Sequence, residues 1–170
     1  MIRYLTPLFA LCLLAAPASA QQQQPQQQPQ QNVERTTNGD WTVECVQDNQ
    51  NRRLCRMVQN VADPNTKKAL LQVVVAKPPE GDQALLTVIA PLGVWLRPGL
   101  ELAVDGGAAN RLAFEFCLKE GCLARMPLAA GMVAALKKGS AASIAIQNIR
   151  RQKLDVKVSL SGFTASFGQL

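Results

Sequence analysis

Two close cysteine pairs, Cys45 with Cys55 and Cys117 with Cys122, constrain this chain more than any other feature, because each pair flanks a polar turn between two short apolar runs. A hairpin brings the β-carbons of such a pair to bridging distance, so Cys45–Cys55 and Cys117–Cys122 are the expected bridges among the three connectivities that four cysteines allow. Closing loops this short is worth roughly 2–3 kcal/mol each in the chain-entropy account. The alternatives fit less well. A redox site calls for a tighter Cys-x-x-Cys pair at a helix start, whereas Leu118-Lys119-Glu120-Gly121 between Cys117 and Cys122 reads as a turn. A four-thiolate zinc site usually has closer knuckles and often recruits histidine, of which this chain has 0.

Stable bridges require an oxidising compartment, and the N-terminus supplies the route. An apolar run from Leu5 to Ala16 ends in Pro17 and the small-residue box Ala18-Ser19-Ala20, so residues 1–20 read as a secretory signal peptide cut after Ala20. The run is too short for a transmembrane helix, which needs roughly 20 apolar residues. Cys12, the fifth cysteine, follows the bulky Leu11, which disfavours a lipoprotein reading, and it is expected to leave with the leader. Residues 21–31 are Gln and Pro only, with no apolar side chains to offset ordering, and the segment 21–37 reads as a disordered or polyproline-like tether. Residues 38–170 remain as a single disulfide-stapled domain. The leader's only charged residue is Arg3, so seventeen basic residues then face twelve acidic ones and the net charge falls from +6 to +5. That excess is spread in pairs rather than runs, which argues against nucleic acid and suits weak contact with anionic lipid or glycan.

Period-two alternation predicts a strand from Trp41 to Val46 and a partner from Leu54 to Val61, closed by the Asp63-Pro64-Asn65-Thr66 turn. Ala69 to Ala76 reads as a central strand buried on both faces, and Ala84 to Ala90 repeats the pattern. Pro91 to Gly99 reads as a structured loop, followed by strands at Leu100–Val104, Arg111–Leu118 and Cys122–Met126. Helical spacing of Leu128, Met132, Val133 and Leu136, with Lys137 and Lys138 before Gly139, predicts a helix over 128–138. Strands over 140–149 and 153–160 follow, and the tail from Gly162 carries Phe163 and Phe167 at helical spacing. The expected fold is mainly β, an antiparallel two-sheet β-sandwich with one short helical insertion and a short C-terminal helical turn; a partly open barrel is the alternative.

No catalytic constellation assembles from these residues. Without histidine the usual serine and cysteine mechanisms lack their base, and no lysine spacing marks a Ser-Lys dyad. Carboxylates such as Glu44, Asp48, Glu101, Asp105, Glu115 and Asp155 could form a hydrolytic pair, but each reads more simply as a strand or turn residue. Asp105-Gly106-Gly107 lies between strands with no helix start behind it, so it is not a phosphate loop. No cofactor is expected. Function is therefore expected in a surface. The first candidate is the Gly93–Gly99 loop, where Trp95 and Arg97 are the residue types that dominate binding hot spots. The plain alternative is that Trp95 plugs the end of the core and Arg97 covers it. The second candidate is a basic patch from Arg52, Arg53, Arg150 and Arg151.

The leader, Trp41-Thr42-Val43-Glu44-Cys45, Leu54-Cys55-Arg56-Met57, the Leu92-Gly93-Val94 to Gly99 loop, Phe116-Cys117 with Gly121-Cys122-Leu123-Ala124, and the closing Ser159-Leu160-Ser161-Gly162-Phe163 together resemble the invasion-associated locus B family of bacterial exported proteins. The likeness spans about residues 39–170 and rests on the ordered combination, no single motif being specific. It implies a periplasmic or outer-membrane-associated protein of Gram-negative type, linked in some members to entry into host cells, with no catalytic residue. The leading expectation is a non-catalytic envelope protein that binds an envelope or host-surface protein, glycan or lipid. A periplasmic accessory or quality-control factor using an exposed strand edge is the second reading, and a carboxylate hydrolase the third.

Overall fold

The computed structural model describes residues 32–170, so the leader with Cys12 and the Gln/Pro tract lie outside the described residues. Seven strands form one antiparallel sheet: β1 (Glu34–Asn38), β2 (Trp41–Gln47), β3 (Arg53–Ala62), β4 (Ala69–Ala76), β5 (Leu85–Ala90), β8 (Phe114–Leu118) and β9 (Gly121–Pro127), in the order β1-β2-β3-β4-β5-β9-β8. Four form the second: β6 (Leu100–Val104), β7 (Asn110–Leu112), β10 (Ala141–Gln147) and β11 (Lys153–Ser159), in the order β11-β10-β6-β7. Helix α1 (Ala130–Lys138) joins β9 to β10, and α2 (Phe163–Phe167) closes the chain. The mainly β, two-sheet fold with two small helical elements is the one the alternation predicts.

One face of each sheet supplies the core. Val43, Met57, Val73, Val75, Leu86, Val88 and Ala124 from the first meet Leu100, Leu102, Ile144, Ile146, Val156 and Val158 from the second, all buried. Cys45 lies directly opposite Cys55 and Cys117 opposite Cys122, and both pairs are bridged. Each disulfide is the staple of its own hairpin.

Four local expectations change. Strand β1 begins inside the segment read as a tether: Glu34–Asn38 has few apolar atoms to announce it, but its backbone pairs with β2 along its whole length. Strands β4 and β5 are buried on one face only, with Leu71, Val73 and Val75 inward on β4 and Leu86, Val88 and Ala90 inward on β5, while their alternate residues are half-exposed. The single strand expected over 111–118 is two, since the chain leaves the second sheet at Leu112 and enters the first at Phe114. A register shift between Phe114 and Phe116 completes the corner, turning Phe116 outward and Cys117 toward Cys122. Leu128 and Ala129 precede the helix, Ala129 in extended conformation and Leu128 N–H donating to the Ala84 carbonyl.

The two sheets are tied by side chains as well as by apolar contact. Gln59 is buried on β3, where its amide donates to the Ser159 carbonyl at 2.9 Å and its carbonyl accepts the Ser159 N–H at 3.0 Å. The Trp41 indole N–H donates to the same carbonyl at 3.0 Å. Edge strand β11 thus has polar backbone groups satisfied by the opposite sheet. Beyond it the tail folds back: Asp40 N–H donates to the Ser161 carbonyl at 3.1 Å, and Phe163 meets Trp41 edge-on with ring centroids 5.3 Å apart. Phe167 stacks on Phe163 at 5.8 Å, with Lys137 above the Phe167 ring.

Candidate binding surface

The Pro91–Gly99 loop and the β10–β11 turn form one unit. Trp95 N–H donates to the Gln147 carbonyl at 2.7 Å and Ile149 N–H to the Gly93 carbonyl at 3.0 Å. Val94 bridges to Asn148 in antiparallel fashion, and its buried side chain anchors the loop in the core. Asn148 sets the turn: its side-chain carbonyl accepts the N–H groups of Arg150 and Gln152 at 2.9 and 3.0 Å, while its amide donates to Gln152 Oε1 at 2.8 Å. With Arg151 in the left-handed region at φ 61°, this arrangement leaves Ile149 facing solvent.

The structure thus joins two candidates that the sequence kept apart and separates one that it grouped. The Arg151 guanidinium lies 4.9 Å from the Trp95 ring centroid, a cation–π contact worth roughly 0.5–1 kcal/mol at an exposed site. Trp95 is half-buried, and its cover is Arg151 rather than Arg97, which stands exposed. Arg52 and Arg53 are at the other end of the first sheet. They sit at the β2–β3 turn, beside the β4–β5 connection, whereas the Trp95 loop leaves β5 at its opposite end. Both are engaged there, Arg52 with Asp48 at 2.7 Å and Arg53 with Glu34 at 3.5 Å.

Three members of the joined surface escaped the residue-type reading. Leu92, Leu96 and Ile149 are 61, 46 and 74 % exposed. Ile149 carried a usable sign, being a large β-branched residue inside the polar turn Asn148–Gln152 with no structural need for it there.

Five of the six carboxylates considered for hydrolysis are engaged elsewhere, Asp155 by Lys153 at 3.4 Å, while Glu101 stands exposed on β6. Glu44 accepts from Arg56 Nη2 at 2.8 Å and from Arg35 Nε at 3.1 Å, and these bonds, Arg56 first, hold its carboxyl below the usual range. Asp48 is lowered chiefly by the Arg52 backbone N–H, Asp63 by that of Thr66, and Asp105 by those of Ala141 and Ser140. Glu115 is paired with Arg125 across β8 and β9. A general acid needs a carboxyl pushed up, and every carboxyl with a resolved shift is pushed down. All four cysteines within the described residues are consumed in disulfides, which leaves no thiolate among them for zinc.

These shifts fix the pH dependence of stability. A carboxyl whose folded pKa is depressed contributes above its unfolded value, about 4, and that contribution is lost as pH falls through the folded value. With 0 histidines, the thermal midpoint should be nearly flat from about pH 5 to 8 and fall below about pH 4. Glu44→Gln should lower the neutral midpoint modestly and shallow the acid limb, as read by thermal melts across that range. An acid limb unchanged in Glu44→Gln would mean that the Arg35–Glu44–Arg56 cluster does not contribute.

Taken together, the geometry defines a disulfide-stapled, two-sheet β-sandwich with an apolar and cationic loop surface at one end. Residues 41–170 match the family model described as Invasion associated locus B (IalB) protein. The chain is 31 % identical over 135 residues to invasion protein B homologs of Brucella abortus (strain 2308) and Brucella abortus biovar 1 (strain 9-941), covering 79 % of this chain and 77 % of each relative. The chain belongs to the IalB family. Its fold is similar to the crystal structure of invasion associated protein B from Bartonella henselae, with a TM-score of 0.71 at 21 % identity over 80 % of this chain and 93 % of that one.

Proposed function

We propose that this IalB-family chain is a non-catalytic protein of the bacterial envelope, periplasmic or outer-membrane-associated, that works by presenting the Trp95 surface to a partner. The observation that carries this reading is the union of the Pro91–Gly99 loop with the Asn148–Gln152 turn, which gathers exposed apolar side chains with arginines on one rigid backbone platform. Large exposed apolar groups beside arginine are the composition of an interaction site rather than of inert surface. The disulfides are consistent with export, and no helix among the described residues is long and apolar enough to cross a membrane. The names of the relatives connect the family with invasion, and a role of this chain in host-cell interaction would use the same surface.

The test is retention on whole envelope material, with protein, glycan and lipid all present. The double variant Trp95→Ala, Arg97→Ala should lose retention at least about tenfold while its far-UV circular dichroism is unchanged. Arg52→Ala with Arg53→Ala, at the opposite end, should retain as the parent does. Equal retention by both variants would place function elsewhere.

A second reading has one observation behind it. Strand β8 is an open edge of the first sheet and exposes Phe116 and Leu118, which suits pairing with an unfolded client strand. Failure of the chain to slow aggregation of unfolded envelope proteins would sink it.

A further inference from the structure

We propose that the Trp95 surface docks on an anionic phospholipid bilayer, with Leu92, Leu96 and Ile149 entering the interface and the arginines meeting the headgroups. The inference rests on the reading above and names the partner of that surface. Three features of the surface carry it.

The first is charge. The segments 91–99 and 147–152 contain Arg97, Arg150 and Arg151 and no Asp or Glu. Among the described residues none of these arginines is in an ion pair, in contrast to Arg35, Arg52, Arg53, Arg56 and Arg125. The neighbouring β8–β9 tip brings Glu120, but Lys119 offsets it at 3.5 Å. A net-cationic tip complements an anionic surface, at about 1 kcal/mol per arginine near the bilayer.

The second is the shape and depth of the apolar part. Leu92, Leu96 and Ile149 are exposed on two adjoining turns at one end of the sandwich, and the half-buried Trp95 belongs to the first of these turns. Tryptophan with arginine above its ring is the amphipathic pairing favoured at the headgroup level, and exposed aliphatic groups beside such a pair are the kind that enter the acyl boundary.

The third is what the surface lacks for other partners. A glycan site on these two segments would need free amide or carboxylate groups for hydroxyls, but Asn148 and Gln152 are bonded to each other, Asn148 also caps its own turn, and Glu101 sits in the adjoining cleft with Arg111 and Lys153 rather than on the segments themselves. The cleft beside this surface, lined by Pro98, Glu101 and Lys153 among others, is only ≈ 30 Å³, too small for an inserted side chain of a protein partner. What remains is an apolar tip in a cationic frame.

The experiment uses the chain as purified from the envelope fraction, its N-terminus read by intact mass so that a retained leader is not mistaken for the surface. It is mixed with protein-free vesicles of phosphatidylglycerol and phosphatidylcholine in equal parts, and with vesicles of phosphatidylcholine alone. Binding to the anionic vesicles is expected, weakened by salt, with brominated acyl chains quenching tryptophan emission. Trp41 is buried against Phe163 and provides a constant background, so the quenched component is Trp95. Arg97→Gln and Arg150→Gln should each weaken partitioning about fivefold, and Leu96→Ser with Ile149→Ser at least about tenfold, with thermal midpoints unchanged because all four side chains are exposed. Equal binding to neutral vesicles, no binding to anionic ones, or binding indifferent to these substitutions would each overturn the proposal. Loss of envelope retention in the Trp95 variant without any vesicle binding would also overturn it, leaving a protein or glycan partner and the broader function intact.

Discussion

Gly162→Ala should destabilise the domain by about 3 kcal/mol or more, out of the roughly 5–15 kcal/mol that holds a domain of this kind together. Gly162 has φ 84°, a region that costs an L side chain roughly 1–2 kcal/mol by itself. The larger cost is contact: a β-carbon built there stands 1.9 Å from the Asn38 carbonyl oxygen and 2.4 Å from its carbon. Both are backbone atoms of the last residue of β1, so no rotamer change relieves the overlap. Gly39, across the seam, is closed in the same way by the Ser161 carbonyl oxygen at 2.6 Å. The expected outcome is that the tail lifts away, exposing Phe163 and uncovering Trp41. Urea denaturation reads the loss, and Gly106→Ala is the control, since Gly106 has φ 73° but a β-carbon added there would meet no atom within 4 Å. Equal losses in the two variants would mean that only backbone conformation matters and that the seam is loose.

That seam also explains why the sequence was informative about some elements and silent about others. The β2–β3 hairpin was legible because Trp41, Val43 and Cys45 alternate against polar neighbours and because Cys45 and Cys55 flank a polar turn. The helix was legible because its period differs from that of the strands around it. Strand β1 was not, because Glu34-Arg35-Thr36-Thr37-Asn38 is an edge strand held by backbone pairing, with almost no buried side chain to set a pattern. The β7–β8 break was hidden for the opposite reason, since alternation runs on through Ala113 while the chain changes sheets, and only tertiary contact reveals which face is inside. Nothing local in the sequence marks Gln59; its burial makes sense only beside Ser159, a hundred positions later.

The candidate surface divides in the same way. Trp95 and Arg97 could be chosen by residue type, and Arg150 and Arg151 by their pairing. What brings the two segments together is the backbone contact of Gly93 with Ile149 and of Trp95 with Gln147, which no local pattern encodes. Arg52 and Arg53 had the same composition as Arg150 and Arg151 but occupy the opposite end, paired with Asp48 and Glu34. Composition nominated the residues; topology decided which of them share a surface.

Trp41→Ala should cost about 3–5 kcal/mol, the range for truncating a large buried aromatic. Trp41 is 1 % exposed and meets both halves of the seam, touching Phe163 through its ring and the β11 backbone through its indole N–H. Trp41→Phe separates the two contributions. Phenylalanine keeps most of the apolar contact and loses the hydrogen bond to the Ser159 carbonyl, but that carbonyl still accepts from Gln59, so it is not orphaned and the added cost should be near 1 kcal/mol. In a Gln59→Leu background the same Trp41→Phe step leaves the Ser159 carbonyl without either side-chain donor, and its cost should rise. Urea titrations of the four chains measure the coupling directly. An additive result would mean that water replaces the lost donors and that the sheets are joined by apolar packing alone; a non-additive one would mean that Trp41 and Gln59 act as a single clamp on β11, with Phe163 and the C-terminal tail packed against it.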